Sequence, residues 1–247
     1  VAGAAMTIVA GHARQASADI PRLVKIRKRA EPRVARLFAD AGLTYPCPSL
    51  MLRAFKHDAQ LELWGADHRG DAMTLVQTYP ICAPSGELGP KREQGDEQVP
   101  EGCYTIHRYN GWSGFHLSMR VDYPNASDRA RGNRWNLGGA IMVHGGCATI
   151  GCIPIGNEPI EEVFLASLDA RRAGRHDTPI HIFPTRLDAD GMAMLRTHPH
   201  ATRDRIALWE ELQPIFEDFE RTHRVPSVEI DAKTGAYGFV SATMPIG

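Results

Sequence analysis

A histidine and a cysteine eight residues apart, His144 and Cys152, stand in the run Ala140-Ile141-Met142-Val143-His144-Gly145-Gly146-Cys147-Ala148-Thr149-Ile150-Gly151-Cys152-Ile153-Pro154. These residue types suit a thiol nucleophile and its base. The thiolate attacks, not the thiol, so a neighbouring imidazole must take the proton. The spacing is too long for one extended strand but suits a strand that leaves a sheet, loops and returns. Gly145, Gly146 and Gly151 give that loop its backbone freedom. Gly151 also keeps a Cβ away from the line on which an oxyanion would meet the backbone N–H groups of 151 and 152. No acidic residue lies between Gly138 and Asn157. Orientation of the imidazole therefore falls to a backbone carbonyl, with that of Gly145 the nearest candidate. A structural cysteine on a buried strand is the bland alternative, and the adjoining histidine and glycines argue against it.

The chain has five cysteines, Cys47, Cys82, Cys103, Cys147 and Cys152. An odd number leaves at least one thiol outside any intramolecular pair. Cys147 is the competing nucleophile, but it lacks the Thr-Ile-Gly element that precedes Cys152. It reads either as a small buried residue or as a partner that pairs with Cys152 under oxidation and silences it. Neither His144 with the two cysteines nor His198-Pro199-His200 has the paired short spacings of a zinc site. No metal and no cofactor is expected.

These residues need elements to hold them. Leu23, Ile26 and Ala30, then Val34, Leu37, Phe38 and Ala41, fall at helical spacing, with Pro32 expected to divide two helical pieces. The helix is dense in arginine and lysine, a face suited to solvent or to an anionic wall polymer. From Leu50 the period becomes two. Strands are expected at Leu50–Phe55, Gln60–Trp64, Thr74–Tyr79, Cys103–Tyr109, Phe115–Val121, Gly139–His144 and Thr178–Phe183. Gly86 to Glu101 reads as a long charged surface loop. Asn157 suits the cap of a helix bearing Ile160, Val163, Phe164 and Leu168. Leu208, Leu212, Ile215, Phe216 and Phe219 mark a long C-terminal helix, with a bend at Pro214. Val228–Ile230 and Tyr237–Val240 complete the strands. Short strands in succession argue for a mixed α+β fold, mainly β and mainly antiparallel.

Four segments follow. Residues 1–18 read as an export-signal remnant, ending in Ala16-Ser17-Ala18, or as an Ala-rich flexible terminus. Residues 19–44 form an N-terminal helical segment, 45–185 the catalytic domain, and 186–247 a C-terminal helix and strand extension. A net charge of −1 over 247 residues, 43% of them hydrophobic, gives no basic field for nucleic acid. No apolar run approaches the roughly 20 residues that span a bilayer.

The order His144-Gly145, a short loop, then Thr149-Ile150-Gly151-Cys152 resembles the signature of the YkuD-type L,D-transpeptidases. Leu88 to Lys91, Gln98 to Tyr104, His116-Leu117-Ser118 and Tyr123 to Ala130 resemble the YafK-like branch, over roughly residues 45 to 185. The resemblance implies a YkuD-like β-sandwich catalytic domain, with Cys152 as nucleophile, His144 as general base and the Gly151–Cys152 backbone as oxyanion donor. It implies peptidoglycan stem peptides as partners and a periplasmic, exported location. Ile150 and Pro154 stand where the wider family has His and Arg, which leaves substrate position open. His116, Tyr123, Asn125, Arg129, Arg131 and Thr149 are the candidate substrate-binding residues, with Arg129 or Arg131 suited to clamp a carboxylate. The activity implied is cross-linking through a thioester. One alternative is a hydrolase that releases peptides or a wall-anchored lipoprotein. Another, from a different class, is a non-catalytic wall-binding module with an inert Cys152.

Overall fold

The computed structural model describes residues 21–174 and 176–241. The candidate export-signal remnant, 1–18, lies outside the described residues. Helix α1 (Pro21–Asp40) precedes strands β1 (Ser49–Phe55), β2 (Gln60–Ala66), β3 (Thr74–Pro80), β4 (Gly102–Ser113) and β5 (His116–Val121). A short helix α2 (Ala126–Arg131) leads to β6 (Met142–His144), β7 (Ile153–Pro154), helix α3 (Asn157–Gly174) and β8 (Thr178–Phe183). Helices α4 (Ala189–Thr197) and α5 (Arg203–Thr222) then lead to the hairpin β9 (Ser227–Ile230) and β10 (Tyr237–Val240).

The expected mixed α+β architecture is present. Its sandwich takes the form of one eight-stranded ladder in the order β3-β2-β1-β8-β4-β5-β6-β7. Pairing is antiparallel except at β1–β8 and β6–β7. The ladder curls until its two outer edges meet: the N–H of Cys82, just past β3, donates to the carbonyl of Pro154 in β7 at 3.0 Å. Strand β1 lies inside the ladder and is covered on both faces, so its residues from Leu50 to Phe55 are buried without alternation, the ion-paired Arg53 included. Leu50, Leu52 and Ala54 join the core beneath α1 and α3. Phe55 joins a second core with Phe183, Trp209, Leu212 and Phe216, beneath α5.

Helix α1 runs unbroken through Pro32, against the expected division. Pro32 lies on the exposed side, while Leu23, Ile26, Ala30, Val34 and Phe38 keep one buried stripe. Packing along that stripe holds the turn from which proline removes a hydrogen bond. Pro214 likewise lies inside a continuous α5. The basic face of α1 is used within the fold. Arg27 forks onto Asp169 of α3 at 2.7 and 2.6 Å, Arg33 bonds Glu162 at 3.1 Å, and Arg29 pairs with Glu161.

The segment between β3 and β4 has no regular structure, yet it is not a plain surface loop. Leu88, Lys91, Val99 and Glu101 are buried. The Lys56 ammonium donates to the carbonyls of Glu87, Gly89 and Val99 and to Glu101 Oε1, all within 3.0 Å. Glu101 also accepts from the Gly89 N–H and from Trp209 Nε1 at 2.8 Å each. A buried ion pair thus ties this segment to β1 and α5. Removing one partner strands the other charge, so Lys56→Met is expected to cost about 3–5 kcal/mol. Equilibrium urea unfolding measures it; a loss under about 1 kcal/mol would mean that the segment does not depend on this pair.

Candidate active site

His144 ends β6, and Cys152 stands one residue before β7. The parallel register pairs Val143 with Ile153 and His144 with Pro154. Continued by one residue, it sets Cys152 beside Met142, on the same face as His144 because side chains alternate. The two residues are then roughly 8 Å apart at their Cα atoms, a gap that an imidazole and a thiol can close between them. The thiol lies near the approach to β6, with Sγ 3.7 Å from the carbonyl of Ala140.

The strand-loop-return path expected of this segment is the one observed. Gly145 sits where the chain leaves the sheet, and its N–H donates to the carbonyl of Leu117 at 3.1 Å. A Cβ there would stand 2.7 Å from the carbonyl oxygen of Phe115 and 2.8 Å from Asn157 Oδ1. Gly151 adopts φ +119°, which side chains disfavour, and abuts the carbonyl of Gln98. Asn157 begins α3, and its side chain accepts from the N–H of Gly146 at 2.9 Å. It holds the loop.

His144 is buried, and Nδ1 lies 2.6 Å from the carbonyl oxygen of Gly145. A carbonyl only accepts, so Nδ1 carries the proton and Nε2 keeps the free lone pair of a base. Phe115 covers the imidazole at 4.6 Å between ring centroids. Burial holds the imidazole pKa below its ordinary value, opposed by the bond to Gly145. Burial pushes the Cys152 thiol up, opposed by a backbone contact at Met142 and by the charge of Lys91. Both shifts favour a neutral thiol beside a neutral imidazole at rest.

Cys152 lines a cavity of about 260 Å³ at the seam of the curled sheet. Ala54, Ile81, Val99, Ile153 and Ile182 give it an apolar floor, with His57, Ser85 and His198 among its polar lining residues. Among the described residues, no three His, Cys, Asp or Glu side chains converge to hold a metal ion.

Other candidate residues have partners of their own. The Cys152 N–H donates to Thr149 Oγ1 at 2.8 Å, and that hydroxyl donates to the carbonyl of Cys152 at 2.9 Å. Thr149, expected to touch substrate, caps the Cys152 peptide, so this N–H is open to another acceptor only once the hydroxyl yields it. His116 lies between Arg22 at 3.1 Å and Glu161 at 2.7 Å. Since a guanidinium only donates, Nδ1 accepts and Nε2–H points at the carboxylate. Tyr123 is buried, with its hydroxyl on the carbonyl of Leu137. Asn125 caps α2 and bonds Tyr237. Arg129 donates to the carbonyl of Pro124, and Arg131 forks onto Glu211 at 2.8 Å. The polar ends of His116, Tyr123, Asn125 and Arg131 are engaged within the fold, whereas Arg129 is exposed beyond its bond to Pro124.

The remaining correction concerns Cys147. It is bonded to Cys82 and not to Cys152, while Cys47, Cys103 and Cys152 are free thiols. Sequence reasoning also missed Lys91. Its ammonium is buried and held by Asp96 at 2.5 Å and the carbonyl of Glu93 at 2.7 Å. The carboxylate five residues on was the available signal.

No protein-family model matches the chain. It is 33% identical over 182 residues to the Escherichia coli K12 protein named "Putative L,D-transpeptidase YafK", covering 72% of this chain and 70% of that one. The chain belongs to the L,D-transpeptidase family, in its YafK-like branch. An Escherichia coli O157:H7 protein of the same name matches equally. Solved structures similar to this L,D-transpeptidase family member are more distant. One is Bdellovibrio bacteriovorus Bd1075, 17% identical at a TM-score of 0.41, over 72% of this chain and 59% of that one. Another is the helical cell shape determining protein Pgp2 from Campylobacter jejuni, 15% identical at a TM-score of 0.43, over 81% and 80%.

For this family member the two pKa directions fix a pH response. With the thiol raised and the imidazole lowered, thiolate accumulates only above the ordinary cysteine range. Alkylation of Cys152 by iodoacetamide, read by mass spectrometry, is expected to keep climbing through that range. A plateau reached below about pH 7 would mark a preformed thiolate–imidazolium pair and contradict the neutral resting state.

Proposed function

We propose that this protein is a cysteine-dependent L,D-transpeptidase acting outside the cytoplasm on peptidoglycan stem peptides. The observation that carries the reading is the His144 tautomer: Nδ1–H is committed to Gly145, leaving Nε2 as a base on the face that bears Cys152. As the Cys152 sulfur attacks the carbonyl on the L side of an L,D peptide bond, its proton passes to Nε2. Neutral partners make this a coupled transfer. The oxyanion is met by backbone N–H groups of the 151–152 segment, with Thr149 releasing the Cys152 amide. His144 then protonates the departing amine, and a thioester remains. An amine of a second stem attacks that thioester and returns the thiol. The broken amide's energy is held in the thioester, so no nucleotide is consumed.

Carbapenem capture tests the nucleophile. Wild type is expected to gain the mass of one carbapenem on the peptide containing Cys152, and Cys152→Ala to gain none. An adduct on any other residue would move the chemistry elsewhere. His144→Ala is expected to slow capture by about 10²–10⁴-fold, most at low pH, where thiolate is scarcest. A loss that is uniform across pH would assign the imidazole a purely structural part. Incubation with purified muropeptides identifies the acceptor. Cross-linked dimers support the transpeptidase, shortened monomers replace it with a hydrolase, and unchanged substrate together with no capture leaves a wall-binding module.

A further inference from the structure

The disulfide between Cys82 and Cys147 joins two segments that meet at the cavity. Cys82 follows β3, directly before Ala83, Pro84 and Ser85, which line the cavity with Ile81. Cys147 lies within the loop that connects His144 to Cys152. The bond therefore spans from the cavity's outer wall to the loop that connects His144 to Cys152. It closes 65 residues of chain, and it lies beside the hydrogen bond by which the two edges of the ladder meet.

Exposure sets this pair apart from the other cysteines. Cys82 and Cys147 are both exposed, whereas Cys47 is buried and Cys103 and Cys152 are partly covered. An exposed disulfide is open to attack by a thiolate, and such bonds are the labile ones. The flanks of the loop have anchors that do not depend on it: Gly146 on Asn157, and Ile155 on the carbonyl of His144. Breaking the bond releases the middle of the loop and the start of the wall while leaving the ends of β6 and β7 in place.

We propose that the Cys82–Cys147 disulfide is a positioning clamp for the Cys152 nucleophile, closed in the oxidised protein and opened by a dithiol reductant. The proposal rests on Cys152 being the reacting thiol. A thiolate of the reductant attacks one sulfur of the pair, and the other cysteine leaves as a thiol. The reductant's second thiol then displaces the mixed disulfide. Two electrons and two protons end on Cys82 and Cys147, and the reductant becomes a disulfide. Cys152 takes no part in the exchange. The consequence has an unusual sign: a reductant that protects the nucleophile from oxidation also slows it.

The test compares wild type before and after dithiothreitol, with the two new thiols confirmed by mass. Hydrogen exchange in residues 81–86 and 145–151 is expected to rise on reduction. The rate of carbapenem capture is expected to fall about 10–100-fold, as for a reacting group displaced by about 1 Å, and to recover on reoxidation. The pH dependence of Cys152 alkylation is expected to shift between the two forms, which a purely structural bond would not cause. The double variant Cys82→Ser, Cys147→Ser should behave as the reduced protein and ignore dithiothreitol. Unchanged exchange after verified reduction overturns the clamp, as does equal Cys152 reactivity in the two forms. Raised exchange and altered Cys152 alkylation, with no carbapenem capture by either form, would keep the clamp and remove the acyl-transfer reading instead.

Discussion

Closure of a curled sheet on itself is the constraint from which the site follows. Strands β3 and β7 stand at opposite ends of the ladder, and an open sheet of that width would leave both edges bare. Here the chain just past β3 bonds to β7, and Cys82 is joined to Cys147 in the adjoining loop. The cavity beside Cys152 is the space left at this seam, floored by residues from β1, β7 and β8. A loop held only at its feet would let the sulfur wander. Held also at its middle, it presents the sulfur to one place.

The electrostatics around His144 are quiet. No carboxylate is among the partners of His144; a peptide carbonyl orients it and burial keeps it uncharged. Charge lies in the α1–α3 ion pairs, in the Lys56–Glu101 pair, whose lysine lines the cavity, and at Lys91, which acts on Cys152. Such pairs fix relative positions more than they add net stability, since desolvation offsets much of their attraction.

Local pattern made the strands, the long C-terminal helix and the glycine-framed excursion legible, because alternation, helical spacing and turn residues act over a few positions. The Gly145 carbonyl was legible for the same reason: it was the nearest acceptor in a stretch without acids. What could not be read was set by contacts distant in sequence. Pro32 looked like a break, because the α3 surface that supports the turn lies more than a hundred residues away. Arg131 was a candidate clamp because Glu211, eighty residues on, could not be placed against it. The segment 86–101 carried the composition of a surface loop. Its buried Glu101 is met by Lys56 and Trp209, and its buried Lys91 by Asp96. Only Cys152 offered itself as a partner for Cys147, because the curl that brings Cys82 alongside is not a local feature.

The contact between Trp209 and Glu101 bears on how such a chain can be divided. The indole N–H reaches from a helix near the C-terminus into the buried pair that shapes the wall, and Arg205 of the same helix donates to the carbonyl of Leu88 at 2.9 Å. The tail is a buttress, not an appendage. A minimal version of this chain cut after β8 would keep Cys152 and His144 yet lose the masonry behind them, so descent with a shortened tail would require a replacement brace from elsewhere in the chain.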